Sequence, residues 1–347
     1  MRTIEIGGRP VGEGHPPFFV AELGTCHEGS LDVALELARK AAAAGADCIK
    51  SELFYETEVF DDSARKTFSI RGKRYSVPLL EHMRRYQFTL EQHHEIKKLA
   101  DDLGLPFMAT AHDRRRVDFL VEIGAEAVKI ASPDIVHYPL IRYAAQSGLA
   151  LFLDTGGAWQ HEVEMAVKAA RDAGCKRLVV NHQPDGHPGS AEQHNLRVLQ
   201  RYKELFAAPV GLSDHYDGYQ MMYAAAAVGA DCIEKPISRD RFLEACEHIW
   251  SVTIDDLPEA LATLREVHAS LGSPCKPMPT PGLRPESPHR VALIARRDLA
   301  PGDPITWDNV TFGKPRMGIG VEHWDSVEGR PLRSAVAQNA FIRWEDL

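Results

Sequence analysis

Two lysines, Lys50 and Lys129, stand near the ends of short apolar runs. A buried strand rarely ends in a charge unless it opens into a site. At matching places in other runs stand Glu22, Glu52, Thr110, Ser132, Asp154, Asn181, Ser213, Asp214, His215, Glu234 and Lys235. Two ammonium groups with Thr and Ser hydroxyls beside them suit a phosphate or a carboxylate. The alternative is a buried ionic network in which the lysines pair with Glu22, Glu52 or Glu234 and hold no ligand, which is costly to bury without function. His215, next to Asp214, has the chemistry of a metal ligand or a general acid–base, and equally of a structural hydrogen-bonder. Glu247-His248 would complete a metal site with His215 and Glu22, although the spacing follows no regular ligand motif. The segment from His182 to His187 is polar and loop-forming, and reads either as metal-binding or as a solvated loop. His93-His94 and Arg114-Arg115-Arg116 fall in helical context and read as solvated faces.

The elements that position these groups repeat. An Ala-rich helix, a Gly, an apolar strand and a terminal Lys recur at 41–50 and 123–129, and again at 220–235, where Gly229 precedes Glu234-Lys235. Apolar runs at 17–23, 47–53, 106–110, 127–131, 150–154, 177–181, 210–213 and 231–234 predict eight strands. Helical patterns lie between them, the first N-capped by Ser30, and include 90–103, 113–124, 192–206 and a last helix at 254–271. That alternation predicts a (β/α)₈ TIM barrel over residues 1–271, with its chemistry at the C-terminal strand ends. The stretch 54–87 is too long for a simple connection and predicts a cover over the site. Six prolines in 272–288 predict a semi-rigid linker, and 289–347 reads as a small β-rich domain.

Composition bounds the function. A formal charge of −9 over 347 residues disfavours nucleic acid as a partner, while leaving room for a local positive pocket. No apolar run approaches a membrane span and no signal peptide is evident, so a cytoplasmic location without membrane contact is expected. The six cysteines show no CxxC spacing, and Cys48 and Cys232 read as buried free thiols.

Nearly the whole chain resembles the N-acetylneuraminate (sialic acid) synthase family, which includes pseudaminic and legionaminic acid synthases. The resemblance is carried by Ala21-Glu22-Leu23-Gly24 with His27-Glu28-Gly29-Ser30, Gly45-Ala46-Asp47 leading to Lys50, and Val128-Lys129-Ile130 with Ser132. It continues through Tyr138-Pro139-Leu140-Ile141 and Gly211-Leu212-Ser213-Asp214-His215. The tail, with 297–303 (RDLAPGD) and 314–320 (KPRMGIG), resembles the family's C-terminal antifreeze-like (SAF) domain. The resemblance implies condensation of phosphoenolpyruvate with the open-chain aldehyde of an N-acyl hexosamine or related aldose, giving a 2-keto sugar acid and phosphate. By position, Lys50, Thr110, Lys129, Ser132 and Ser213 match the groups that hold phosphoenolpyruvate, and Glu22 the acid near the reacting carbons. His215, with Glu247 near it, matches the site of a divalent metal, Mn²⁺ or Mg²⁺, acting as a Lewis acid. A domain-swapped homodimer is implied, in which Arg316 is the candidate to reach the sugar's N-acyl group.

The departures gather in the same mouth. The family's second metal histidine falls at Pro236, which has no donor atom, and the hydroxyl at the end of the fifth strand becomes Asp154. Glu52 replaces a glutamine, Cys26 precedes His27 where the family has Asn, and 182–188 replaces a Thr/Ser-rich loop, with His182 or His187 as substitute ligands. Two other readings therefore stand beside the synthase. One is a metal-dependent aldolase, lyase or isomerase acting on a sugar without phosphoenolpyruvate; the other is an inactive sugar-binding homologue.

Overall fold

The structure is a computed structural model that describes residues 2–54, 61, 63–243, 245–273 and 290–347. The chain forms two compact units, Met1–Gly272 and Ser273–Leu347. The proline-rich stretch read as a linker, 272–288, lies outside the described residues beyond Ser273.

The first unit is a closed barrel of eight parallel strands, as the alternation of apolar runs and helical patterns predicts. The strands are β1 (Phe18–Glu22), β2 (Cys48–Glu52), β3 (Phe107–Thr110), β4 (Ala127–Ile130), β5 (Ala150–Asp154), β6 (Leu178–His182), β7 (Val210–Ser213) and β8 (Cys232–Ser238). Each pairs with the next, and β8 returns to β1. The helices between them are α1 (Leu31–Ala44), α2 (Leu90–Asp102), α3 (Arg114–Glu122), α4 (Tyr138–Gln146), α5 (Gln160–Asp172), α6 (Arg197–Phe206), α7 (Gln220–Ala227) and α8 (Leu257–Leu271). Ser30 caps α1 as expected, its hydroxyl accepting from Val33 N.

Successive strand side chains face opposite ways, so each apolar run feeds two cores. Phe19, Ala21, Ile49, Phe107, Val128, Leu151 and Leu212 face outward and pack on the helices. Phe18, Val20, Cys48, Met108, Phe152, Val179 and Cys232 fill the barrel interior. Ile4, Ile6 and Val11 join that inner cluster from the N-terminal hairpin Thr3–Ile6/Arg9–Gly12, which closes the N-terminal end. The inner apolar layer therefore occupies the lower half of the barrel, and the polar positions one step further along each strand form its mouth. Cys48 and Cys232 are buried free thiols in this layer, as the sequence predicts.

Three details differ from the sequence reading. The stretch 54–87 is not a plain loop: it carries an antiparallel hairpin, Arg65–Ile70 with Lys73–Pro78, and a helix, Leu79–Tyr86. Helix α6 starts only at Arg197, because Glu192–His194 forms a separate 3₁₀ turn and Asn195 turns left-handed with φ 42°. His93 is not on a solvated face. It is 1% exposed, its Nδ1 on Thr89 O at 2.9 Å and its Nε2 on Glu52 O at 3.3 Å, whereas His94 next to it is exposed.

The second unit is a small β-rich fold in which Ala292–Ala295 pairs antiparallel with Val310–Gly313. Its core gathers Leu293, Leu299, Ile305, Trp324, Val327 and Ile342.

Candidate active site

The strand register brings the polar positions to one level. Glu22 lies beside Lys50 on one side and Pro236 on the other; Glu52 lies beside Thr110, and Thr110 beside Lys129. Asn181 lies beside Asp154, and Ser213 beside Glu234. All share the inward parity of the apolar layer below them. Above them opens a cavity of about 790 Å³, walled by these strand ends and by Arg65, Lys66, His82 and Met83 of the 54–87 segment. The segment thus forms one wall of the opening.

The base of the mouth is a fused ionic network. Glu234 accepts from both lysines: Lys50 Nζ lies 3.1 Å from its Oε1, and Lys129 is in direct contact with the same atom. Lys50 also pairs with Glu22, and Lys129 with Asp154 at 2.5 Å and Ser213 Oγ at 3.4 Å. Lys50, Lys129 and Glu234 are each at most 4% exposed. Glu22, Asp154 and Glu234 outnumber the two ammonium groups, so one carboxyl can shed its charge cheaply by taking a proton. Glu22 is the group that does so. Burial raises it to about 7 against the pull of Lys50, and Glu234 and Glu247 push the same way. Burial also raises Asp154 against Lys129, whereas Lys129 and Lys50 together overcome burial and hold Glu234 below the usual range. Among the described residues several buried atoms here have no hydrogen-bond partner: Asp154 Oδ1, Glu234 Oε2 and both side-chain atoms of Asn181. Unsatisfied buried polar atoms are costly and mark places where a ligand or water belongs.

Alternation separates the Ser213-Asp214-His215 cluster. Ser213 and His215 face the mouth, but Asp214 points outward, fully buried, with Lys235 Nζ at 2.8 Å, Tyr216 N at 2.9 Å and His194 Nε2 at 3.2 Å. Asp214, read from the sequence as a catalytic candidate, therefore does not line the cavity. His215 lies beside His187, ring centroids 4.7 Å apart and the rings tilted by 38°, with Trp250 near both. Burial, and then His187 and the nearby lysines, push His215 well below the ordinary histidine range, and its Nδ1 has no partner among the described residues. His182 turns from the cavity and bonds His194 O at 2.7 Å. Ser132 lines the cavity and bonds Gly156 N at 2.8 Å and Gln183 at 2.6 Å. Arg316 belongs to the second unit, where it pairs with Glu322 at 2.6 Å.

Glu247 lines the cavity from a left-handed backbone, φ 75°. Its carboxylate accepts from Thr25 N at 2.5 Å and Thr25 Oγ1 at 2.8 Å. A Cβ on Gly24 would meet Glu247 Oε2 at 2.2 Å, so a side chain there would push this carboxylate away from Thr25. Burial raises Glu247, with Glu52 adding to it and Lys66 opposing.

Of the residues the resemblance places at a divalent metal, His215 and Glu247 line the cavity, and His187, the substitute candidate, lies beside His215. His215 offers one nitrogen, Glu247 has its Oε2 on Thr25 and leaves Oε1 to a ligand, and Pro236 offers nothing. Among the described residues no three His, Cys, Asp or Glu side chains converge as a metal site.

One constellation escaped the sequence reading. His112 lies two residues beyond Thr110, on the same inward parity, and lines the cavity. Its Nδ1 is 2.6 Å from Asp134 Oδ2, and its Nε2 faces Glu52 Oε1 at 3.8 Å. Alternation from Thr110 could have found it; its partner 22 residues on could not be inferred. Asp134 and Glu52 overcome burial and raise His112, while His112 and Lys50 draw Glu52 down to about 2.

Buried histidines set an acid limit on the fold. Burial lowers His27, His82 and His187 to about 4 each, so they stay neutral when folded but take protons near 6.5 once unfolded. Folded stability is therefore lost as pH falls from 6.5 towards 4. Glu22, raised to about 7, opposes this, since it costs stability as pH rises from 4.5 to 7. His215, also lowered by burial, adds to the three histidines, while Asp154, Glu247 and His112, all raised, join Glu22 against them. The urea midpoint is expected to be lower at pH 5 than at pH 7.5; a midpoint that rises on acidification shows that the raised groups dominate.

Fold and site together define a class: a (β/α)₈ barrel whose C-terminal strand ends form a cavity floored by lysines and carboxylates, followed by a small β-rich unit. The chain belongs to the NeuB family, whose model matches residues 37–276, and a SAF domain follows at 290–347. It is 32% identical to an uncharacterized protein of Methanocaldococcus jannaschii over 100% of this chain and 99% of that one. It is 28% identical to an N,N'-diacetyllegionaminic acid synthase of Legionella pneumophila over 98% of this chain and 97% of that one. Among solved structures it resembles the N-acetylneuraminic acid synthetase of Leptospira borgpetersenii, with TM-score 0.73 and 28% identity, over 81% of this chain and 94% of that one. No helix among the described residues is long and apolar enough to cross a membrane.

Proposed function

We propose that this barrel condenses phosphoenolpyruvate with the aldehyde of an N-acyl hexosamine or related aldose, forming a 2-keto sugar acid and inorganic phosphate. The observation that carries the reading is the pair Lys50 and Lys129, buried and joined through Glu234 at the floor of an open cavity. In this reading the two ammonium groups, with the hydroxyls of Thr110, Ser132 and Ser213, hold the donor's phosphate and carboxylate. The donor's C3 attacks the aldehyde carbon, and the double-bond electrons become the new C–C bond while the aldehyde oxygen takes a proton. Water adds to C2 and releases a proton; the C–O bond to phosphorus then breaks, phosphate leaves, and C2 becomes the ketone. Glu22, raised to about 7, is suited to receive the proton from that water.

The same group makes donor binding depend on pH. Below about 7 Glu22 carries a proton, and the mouth presents less negative charge to an incoming anion. Phosphoenolpyruvate is therefore expected to bind more tightly at pH 6 than at pH 8, measured by calorimetric titration. Phosphate release with a panel of N-acyl hexosamines, with and without Mn²⁺, tests the reaction itself. The reading is abandoned if the donor neither binds nor releases phosphate across that panel. One observation favours the second reading, a sugar-active aldolase, lyase or isomerase that does not use phosphoenolpyruvate: Asp154 already occupies Lys129 at 2.5 Å.

A further inference from the structure

We infer that His112, clamped between Asp134 and Glu52, is the acid that protonates the acceptor's aldehyde oxygen during condensation. The inference rests on the condensation proposed above and assigns the residue that activates its electrophile.

The geometry begins with height in the barrel. Thr110 stands at the level of Lys129, beside which it pairs in register. His112 follows two residues later, about 7 Å further towards the opening for extended chain. A donor held at the lysines leaves its reacting carbon facing upward, and an acceptor entering from the opening must sit above it, level with His112. The ring is held from both sides: Asp134, beyond the end of β4, fixes Nδ1 at 2.6 Å, and Glu52, at the end of β2, faces Nε2 at 3.8 Å. A carboxylate on Nδ1 keeps the proton there and orients Nε2, the arrangement of a positioned general acid–base.

Chemistry supplies the second argument. A neutral aldehyde gains a full negative charge on oxygen as the C–C bond forms, and that charge needs a proton, a donor array or a Lewis acid. At the expected metal position the second histidine is replaced by Pro236, which has no donor atom, and among the described residues no three His, Cys, Asp or Glu side chains converge. The charged groups facing His112 favour its protonated form. Asp134 and Glu52 act on it directly; Lys50 and Lys66 act on Glu52 from the floor and from the hairpin, and do not cancel the two carboxylates. His112 is accordingly raised above the ordinary histidine value, with Asp134 and Glu52 overcoming burial, which favours the imidazolium form.

The step balances. Nε2–H gives its proton to the aldehyde oxygen as C3 bonds to the aldehyde carbon. The proton released when water adds to C2 goes to Glu22, the imidazole regains its proton from solvent, and no oxidant or reductant is needed. Asp134 and Glu52 are positioning residues in this scheme.

The test combines turnover, binding and titration on the full chain. His112→Asn is expected to lower kcat 10²–10³-fold while phosphoenolpyruvate binding changes less than threefold. Wild-type kcat is expected to fall at high pH as His112 loses its proton. That limb shifts to lower pH in Asp134→Asn and disappears in His112→Asn. By NMR the His112 ring is expected to titrate above pH 6.5 in the wild type and lower in Asp134→Asn. Turnover in the presence of EDTA is expected to persist. The inference is overturned if His112→Asn turns over normally, if the ring titrates below pH 6.5, or if EDTA abolishes turnover and Mn²⁺ restores it. Absence of any donor binding by the wild type fails the condensation itself, a separate result that removes His112 from this role with it.

Discussion

Replacing Asp154 by Ser is expected to tighten phosphoenolpyruvate binding by tenfold to a hundredfold. Asp154 is 2% exposed, sits 2.5 Å from the Lys129 ammonium, and leaves its Oδ1 without a partner among the described residues. An anion that seeks Lys129 must displace this carboxylate or lie beside it. At a separation of about 5 Å and an effective dielectric near 20, two unit charges repel by roughly 3 kcal/mol. Burial already raises Asp154, so part of that repulsion is relieved by protonation when the anion arrives. The remainder, about 1.4–2.8 kcal/mol, is the stated range. A serine also offers a hydroxyl to the ligand, and the mouth keeps Glu22 and Glu234 against two lysines, so no ammonium is stranded. Unchanged or weaker binding in calorimetric titration would place Asp154 in the chemistry itself and favour a reaction that does not use phosphoenolpyruvate.

Lys129→Met is expected to damage both stability and binding, and a second substitution separates the two. The lysine neutralises Asp154 and part of Glu234 at the barrel floor. Removing one member of a buried ionic group strands the others, typically at about 3–5 kcal/mol. Glu234 keeps Lys50 at 3.1 Å, so most of this loss falls on Asp154, which is forced to take a proton. Adding Asp154→Leu removes the stranded acid and is expected to recover most of the urea-denaturation loss, because an apolar pair can replace a buried ion pair at little cost. Donor binding, weakened more than a hundredfold in the single variant, is not recovered in the double one. A single substitution that costs under 1 kcal/mol would remove the structural role of Lys129, and a double variant that binds the donor like wild type would remove its binding role.

These expectations depend on how far the site can be read without the fold. Lys50, Lys129 and Glu22 are visible because a charge at the end of an apolar run is rare enough to signal a site. Alternation in steps of two predicts that Glu22, Thr110 and Ser213 face inward, and the barrel places them so. The same rule turns Asp214 outward, although Ser213-Asp214-His215 read as one functional cluster; a loop motif conceals the period of the strand that carries it. His112 escaped because it follows a strand end in a turn rich in charge, where attention falls on Arg114-Arg115-Arg116.

What the sequence determined by itself was local: eight strands with their periodicity, the Gly-ended helices, the strand-end charges, and a β-rich tail set off by proline. Each follows from contacts between near neighbours in the chain, which propensity and alternation encode. Which charges meet is set by the closed barrel. Lys129 bonds Glu234 across 105 residues, Thr25 holds Glu247 across 222, and Lys66 comes to the mouth on a hairpin from the 54–87 segment. Those partnerships arise from barrel closure and strand register, which bring together positions that no spacing along the chain relates. Closure also joins two strand-end lysines with Glu22, Asp154 and Glu234 in one network and buries Glu22, and that burial, against the pull of Lys50, raises Glu22 to about 7.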